Sequence, residues 1–369
     1  MVYLDNAATT MPKPPMVESA IMDALRHSGS LGRGSHASAA AASEIAFSCR
    51  CLAGEMFDVS PEHVAFTFNA THGSNIAIRS IVGLGDDVVV SGFEHNAVMR
   101  PLYALGANIS IAGRKLFDRE DTLQEFSRCV TARTKAVICT HVSNVYGYIL
   151  PLEQIAELCK ERNVPLIVDA AQSAGVLPLS MRELGAAFIF MPGHKSLFGP
   201  QGTGLLLCGC MPRPILEGGT GSSSKLMTMP AVLPDRVEAG TQNIHGIAGL
   251  VEGMRFVQRR GIGNIAQHEK ELVDLLTKEL SKIDDIQVLR GTPMSQSGVV
   301  SMCLKHMSCE EAAQRSAAAG IAVRSGLHCA PVAHESGGTI RQGTLRVSFS
   351  ALSNVEDVET FVSFMKKLK

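Results

Sequence analysis

A surplus of charge of either sign is missing from this sequence: 34 lysines and arginines face 35 aspartates and glutamates, for a formal net charge of −1. Without an acidic or basic excess there is no electrostatic case for nucleic acid or an anionic membrane as a partner. Long apolar runs are missing too, so no segment is expected to span a bilayer. The opening residues, Met1 to Asn6, have no basic region ahead of an apolar core, and no secretory signal is expected. Ten cysteines are present, but disulfide-framework spacing is not, so the thiols read as reduced in a cytoplasmic protein. Cys49-x-Cys51 and Cys208-x-Cys210 lack the two-residue gap of zinc sites, and no metal is expected. What remains is an ordinary globular composition, 46% hydrophobic and 19% charged over 369 residues. That length supports one large core and a second, smaller one.

What is there begins with Phe188 to Pro192, an apolar run readable as a buried strand. It breaks at Pro192 and Gly193 and presents His194 and Lys195 on a turn closed by Gly199, Pro200 and Gly202. A lysine is costly to bury. One set between an apolar strand and a glycine-rich turn is either an ordinary surface lysine or an amine held for covalent chemistry. Upstream, the run from Val164 ends in Asp169, with Gln172 close behind. An acid at the C-terminal end of a parallel strand sits where open α/β sheets bind ligands, although it also serves as a helix N-cap. A strand-end acid, then a strand-end lysine one βαβ-like step later, matches what pyridoxal phosphate requires. The lysine forms the Schiff base, and the carboxylate keeps the pyridine nitrogen protonated.

The rest of the chain continues the alternation. Tyr3 to Thr10, followed by Pro12, Pro14 and Pro15, reads as an extended arm before a helix from Met16 to His27. Gly29 to Ser38 is a loop carrying Arg33 and His36, either a linker or a site lining. Ala39 to Phe57 reads as a helix, and Ser60 with Pro61 as the cap of a short one. A strand from Val64 leads through Ala70, Thr71 and His72 into a helix ending at Ile81. Such a turn is an anion cradle, to which Thr71 adds a hydroxyl. Later strands end in His95, whose flat ring can stack on an aromatic cofactor, and in Asn144, level with Asp169. Glu238 to Asn243 is a second small-residue turn, able to donate Thr241 to an anion. Polar residues at successive strand ends predict an α/β fold, a mostly parallel sheet flanked by helices over residues 16–250, with its site along one edge. The helix from Ile247 to about Arg260 reads as the passage to a smaller α+β domain, residues 251–369 joined by the arm, residues 1–15. In that tail Ser308 with Glu311, and Ser353 with Glu356, read as capping boxes.

One cysteine does not read as core. Cys329 follows Arg324, Gly326 and His328 and precedes Pro331, so it lies on a turn. A loop thiol near a histidine or arginine can act as a nucleophile, or be a partly exposed thiol without a role. Arg346 interrupts an apolar strand, where its fork can hold a substrate carboxylate or form a structural ion pair.

In this order the pieces resemble the cysteine desulfurases of the class V aminotransferase group, fold-type I pyridoxal phosphate enzymes. The resemblance runs along nearly the whole chain: Tyr3 to Thr10, Ala70-Thr71, Glu94-His95-Asn96, Ser143-Asn144, Asp169 to Gln172, Gly193-His194-Lys195, Ala239-Gly240-Thr241, the Arg324 to Cys329 segment and Leu345-Arg346. The short segment before Cys329 is similar to the group II enzymes, which include selenocysteine lyases. The resemblance implies that Lys195 forms the Schiff base, Asp169 pairs with the pyridinium, Gln172 touches the ring oxygen and His95 stacks on the ring. It implies that Asn144 contacts the cofactor, that the Ala70-Thr71-His72 turn and His194 meet the phosphate, and that Thr241 reaches it from the partner subunit of a homodimer. Ala8, Asn144, Arg324 and Arg346 would face the substrate, and Cys329 would attack its sulfur. The chain departs from the family pattern at His72, where a glutamate is usual, at Pro192, where a phosphate-binding serine is frequent, and at Leu327, where group II members often have histidine. The implied activity converts L-cysteine to L-alanine, with a persulfide on Cys329 passed to an acceptor protein or small thiol. A selenocysteine lyase, another enzyme of the same fold and a non-catalytic scaffold are the other readings.

Overall fold

Seven strands form the central sheet of the computed structural model, which describes residues 1–32 and 34–368; Arg33 lies outside them. In spatial order they are Val64–Thr67, Gly204–Cys208, Phe188–Pro192, Leu166–Asp169, Thr134–Thr140, Asp87–Ser91 and Asn108–Ala112. From Phe188–Pro192 to Asn108–Ala112 every pairing is parallel, while Gly204–Cys208 runs antiparallel to both neighbours. The reversal explains the Lys195 turn. Adjacent antiparallel strands can be joined by a direct return, whereas parallel ones need a crossover.

The expected strands read as unbroken apolar runs because helices cover both faces. Val89, Val137, Val168 and Ile189 enter the core on one side, and Val88, Ile138, Ile167 and Phe190 the core on the other. That alternation is the two-residue period of a strand. At one edge the parallel strands end together in Ser91, Thr140, Asp169 and Pro192, and the sheet therefore delivers polar groups there side by side.

A second, antiparallel sheet orders Arg324–Gly326, Thr344–Ser348, Val299–Leu304 and Ile286–Leu289. It has its own core of Leu272, Leu276, Val300, Leu345, Val347 and Phe361, which Leu4 of the arm joins. Val2–Tyr3 pairs in parallel with Ile321–Ala322. The boundary expected at 250/251 falls inside the helix Ile244–Arg260. Its Ile244 to Met254 pack on the large sheet's core, while Val257 packs with Ile265 and Ala351.

Capping differs from expectation at three points. Ser353 does not cap the last helix; Asn354 and Asp357 form the capping box one residue on, since Ser353 Oγ instead accepts from Ser350 N. Ser308 accepts from Glu311 N without the reciprocal bond. Ser60 caps nothing with its side chain, because Pro61–His63 is a single 3-10 turn. Among the described residues no helix is long and apolar enough to cross a membrane.

Candidate active site

Lys195 and Asp169 occupy the ends of neighbouring strands and act on each other electrostatically. Burial pulls the lysine pKa down to about 8, opposed by the attraction of Asp169 and reinforced by the repulsion of Arg346 and Arg324. Among the described residues nothing hydrogen-bonds the amine. Burial pushes the Asp169 carboxyl up to about 6, against the N–H of Ala171, which donates to Oδ1 at 2.8 Å, and against Lys195. No helix follows Asp169, so helix capping is not its role; it shapes the turn at 171–173.

His95 is the N-cap of the helix Asn96–Leu105, its Nδ1 accepting from Ala97 N at 3.0 Å. Burial, and then the charge of Lys195, lower its pKa to about 4, so the ring is neutral near pH 7. Gln172 Nε2 donates to the Ala7 carbonyl at 3.0 Å, beside Ala8, whose N–H donates to Asp5 O. His194 has a buried Nδ1 without a hydrogen-bond partner, and burial lowers its pKa to about 4. Ala70 and exposed Thr71 open the helix Ala70–Ile81, capped by Asn69, whose Oδ1 accepts from His72 N. His72 stacks on Phe68 at 4.6 Å, with its buried Nε2 unpartnered.

The thiol comes from the smaller sheet's side. Cys329 is exposed, and it and His328 both hold positive φ, 56° and 48°. Two bonds from the larger sheet pin this turn. Asn96 N donates to the Cys329 carbonyl at 2.8 Å, and Asn144 Nδ2 to the His328 carbonyl at 2.8 Å. The first uses a main-chain N–H that a helix start leaves unpaired, and so the helix capped by His95 also fixes the cysteine.

Arg346, 2% exposed, takes the structural ion pair of the two roles left open for it. Nη2 pairs with Asp5 Oδ1 at 2.8 Å and Nη1 donates to the Asn144 carbonyl at 2.9 Å, while Nε is buried without a partner. Arg324, half-exposed, reaches the other Asp5 oxygen at 3.5 Å. Thr241 stands apart in this chain. It is exposed and lines a cavity with Ser30, Phe47, Arg50 and Asp235, none of them a neighbour of Lys195 in this cluster.

Three contributors had no local signal. Asp5 gains its meaning only from arginines more than 300 residues away. Glu94 is a buried acid at the end of the Asp87–Ser91 strand, accepting from Ser91 Oγ and from Thr140 N at 2.7 Å. Lys13 donates to the His194 carbonyl at 2.7 Å. Surface-compatible residue types in an arm or a strand end do not announce such partners.

An open α/β sheet whose strand ends bring an amine, a buried carboxyl and a neutral imidazole to one end of the sheet has the architecture of the fold-type I pyridoxal phosphate enzymes. The chain belongs to the aminotransferase class-V family, which matches residues 2–361. It is 32% identical to the "probable cysteine desulfurase 1" of Mycobacterium leprae, over the whole of this chain but only 62% of that protein. It is 30% identical to the "probable cysteine desulfurase" of Pyrococcus abyssi, over the whole chain and 94% of that protein. An apo cysteine desulfurase from Thermococcus onnurineus superposes with a TM-score of 0.90 at 29% identity, covering 99% of this chain and 94% of that one.

The family depends on pyridoxal phosphate, and the residues present fit that group. His194 Nδ1, His72 Nε2 and Arg346 Nε are buried polar atoms without partners, suited to the two anionic ends of a cofactor–substrate pair. Asp169 keeps one oxygen free of hydrogen bonds among the described residues, and the lysine amine is likewise uncommitted. Pro192 lies in the strand without an N–H to offer.

Proposed function

We propose that the protein is a cysteine desulfurase that converts L-cysteine to L-alanine and leaves the sulfur as a persulfide on Cys329. What supports this most is the Cys329 turn, bonded through the Asn96 N–H beside His95 and through the side chain of Asn144, which follows the strand paired with the one that ends in Asp169. An exposed thiol without a role has no need of two such ties.

Pyridoxal phosphate, bound through Lys195, supplies the electron sink for the α-carbon. Asp169 would hold the ring nitrogen's proton, neutral His95 would cover the ring face, and Gln172 and Asn144 would meet its edge. Arg346, with Arg324 at the rim, receives the substrate carboxylate. Lys195, its pKa lowered to about 8, takes the α-proton. The Cys329 thiolate forms a new S–S bond to the substrate sulfur while the substrate C–S bond breaks. The electron pair of that bond stays with the carbon, which leaves as alanine after protonation. The outer sulfur then passes to the thiol of an acceptor protein or small molecule by exchange.

The protein works as a homodimer in the cytoplasm, with Thr241 of each subunit meeting the partner's phosphate group. Residues 16–250 form the cofactor domain, and residues 1–15 with 251–369 the domain that carries the thiol. Replacement of Cys329 by serine is the test. Alanine release from cysteine is abolished while the cofactor's visible absorbance and the melting temperature persist. Release from selenocysteine that survives the replacement identifies a selenocysteine lyase, since selenium leaves without a protein thiol. Unchanged release from cysteine ends the reading.

A further inference from the structure

The main-chain carbonyl of His194, the residue before Lys195, has four donors around it. Thr10 N lies at 3.1 Å, Thr9 Oγ1 at 3.1 Å, Thr10 Oγ1 at 3.2 Å and Lys13 Nζ at 2.7 Å. A carbonyl offers two lone pairs, and all four donors come from one short piece of the arm. Lys13 also donates to Thr10 Oγ1 at 2.6 Å, which turns the hydroxyl proton toward the carbonyls; that oxygen lies 3.0 Å from Lys195 O. Toward the other end of the arm, Asp5 pairs with Arg346, and Asn6 Nδ2 and Ala7 N bond to Ser348. One segment therefore spans from the arginine beside the cleft to the peptide that carries the lysine.

We propose that Lys13 is a positioning residue for Lys195: its ammonium fixes the His194–Lys195 main chain from which the reactive amine extends. The inference rests on the reading of Lys195 as the cofactor lysine. A lysine side chain has four rotatable bonds, so its approach angle is set by where its Cα is held, and small misplacements of a reacting group are costly. Of the donors, Lys13 makes the shortest bond and the only charged one, and charge assistance makes such bonds the stronger kind. Burial lowers the Lys13 pKa to about 8, so the ammonium is held at a desolvation cost that this contact offsets.

The test uses apoenzyme of the wild type, Lys13→Met, Lys13→Arg and Thr9→Val, mixed with pyridoxal phosphate. Growth of the visible band gives the rate of covalent attachment, borohydride trapping with peptide mapping gives its position, and a pH titration of the band gives its midpoint. In the Met variant attachment is about tenfold slower, the loss of one charge-assisted bond, and the midpoint moves; the Arg variant regains most of the rate. Thr9→Val shows the same change to a smaller degree and carries the comparison should Lys13→Met not fold. A trapped link on Lys195 in the wild type, with unaltered rate and midpoint in the variants, overturns the role of Lys13 alone. A wild-type link on any other residue overturns both that role and the reading of Lys195.

Discussion

Asn144 donates from Nδ2 to the His328 carbonyl at 2.8 Å while its own carbonyl accepts from Arg346 Nη1 at 2.9 Å. One residue just beyond the Thr134–Thr140 strand therefore ties the Cys329 turn to the buried Arg346. Asn144→Ala removes the first bond and keeps the second, because the second is main-chain. With one buried bond lost, about 1 kcal/mol, we expect a turnover loss of roughly fivefold and faster amide hydrogen exchange at 327–330. Unaltered exchange there, with the activity lost, would mean that Asn144 acts on the cofactor alone.

The backbone at Cys329 is a second point of leverage. With φ of 56° it sits where L side chains are disfavoured, and His328 beside it at 48° does the same. Glycine normally weakens a fold through its unfolded-state entropy, but at a left-handed position it removes a comparable or larger penalty. Cys329→Gly is therefore expected to melt at or above Cys329→Ala, by up to about 1 kcal/mol. Thermal melts of the two inactive variants decide it, and a glycine variant well below the alanine one contradicts the geometry.

Burial sets the pH dependence at Asp169. Its pKa is raised from 3.8 to about 6. A carboxyl raised on folding helps the folded state while protonated; that advantage is lost as pH climbs from the unfolded value toward the folded one. Above pH 6 the ionised group costs the apoenzyme about 3 kcal/mol. Asp169→Asn keeps an acceptor for Ala171 N and avoids the cost, so its apoenzyme gains stability between about pH 4 and 6 and holds the gain above. Alanine release is lost in the same variant. Chemical denaturation of both apoenzymes at pH 4 and pH 8 measures the difference, and equal stability at pH 8 rejects it.

Legibility followed the range of the physics. Strands such as Leu166–Asp169 and Phe188–Pro192 were readable because burial on both faces writes an unbroken apolar run, and the ends of those runs located Asp169 and Lys195. The direct return at Lys195 was legible as a glycine-rich turn, but the reversed strand Gly204–Cys208 that causes it was not, since strand direction leaves no mark on composition. Asp5 and Lys13 were invisible as contributors because the arginines and the His194 carbonyl they grip stand far along the chain and a polar arm reads as polar whatever it grips. The capping error at Ser353 came from two overlapping patterns one residue apart, Ser353 with Glu356 and Asn354 with Asp357. Only the geometry chooses between them.

Glu94 belongs with those missed residues, and its burial makes a definite prediction. The carboxyl lies wholly inside, with Oε1 accepting from Ser91 Oγ and Thr140 N and Oε2 without a partner. Burial, reinforced by Asp169, pushes its pKa up to about 8 against those two donors. At pH 7 the acid is mostly neutral, and stability falls as pH rises from its unfolded value toward 8. Glu94→Gln preserves an acceptor for both donors and cannot ionise, so it is expected to match or exceed the wild type at pH 7 and to pull further ahead by pH 9. Glu94→Ala strands the Thr140 N–H in the interior and costs about 1–3 kcal/mol at every pH. Because Thr140 pairs in register with Asp169, the alanine variant also shifts the cofactor's visible band, whereas the glutamine variant leaves it in place. Melts at pH 7 and 9 with holoenzyme spectra separate the two; a glutamine variant less stable than the wild type at pH 9 would show that Glu94 is held as an anion.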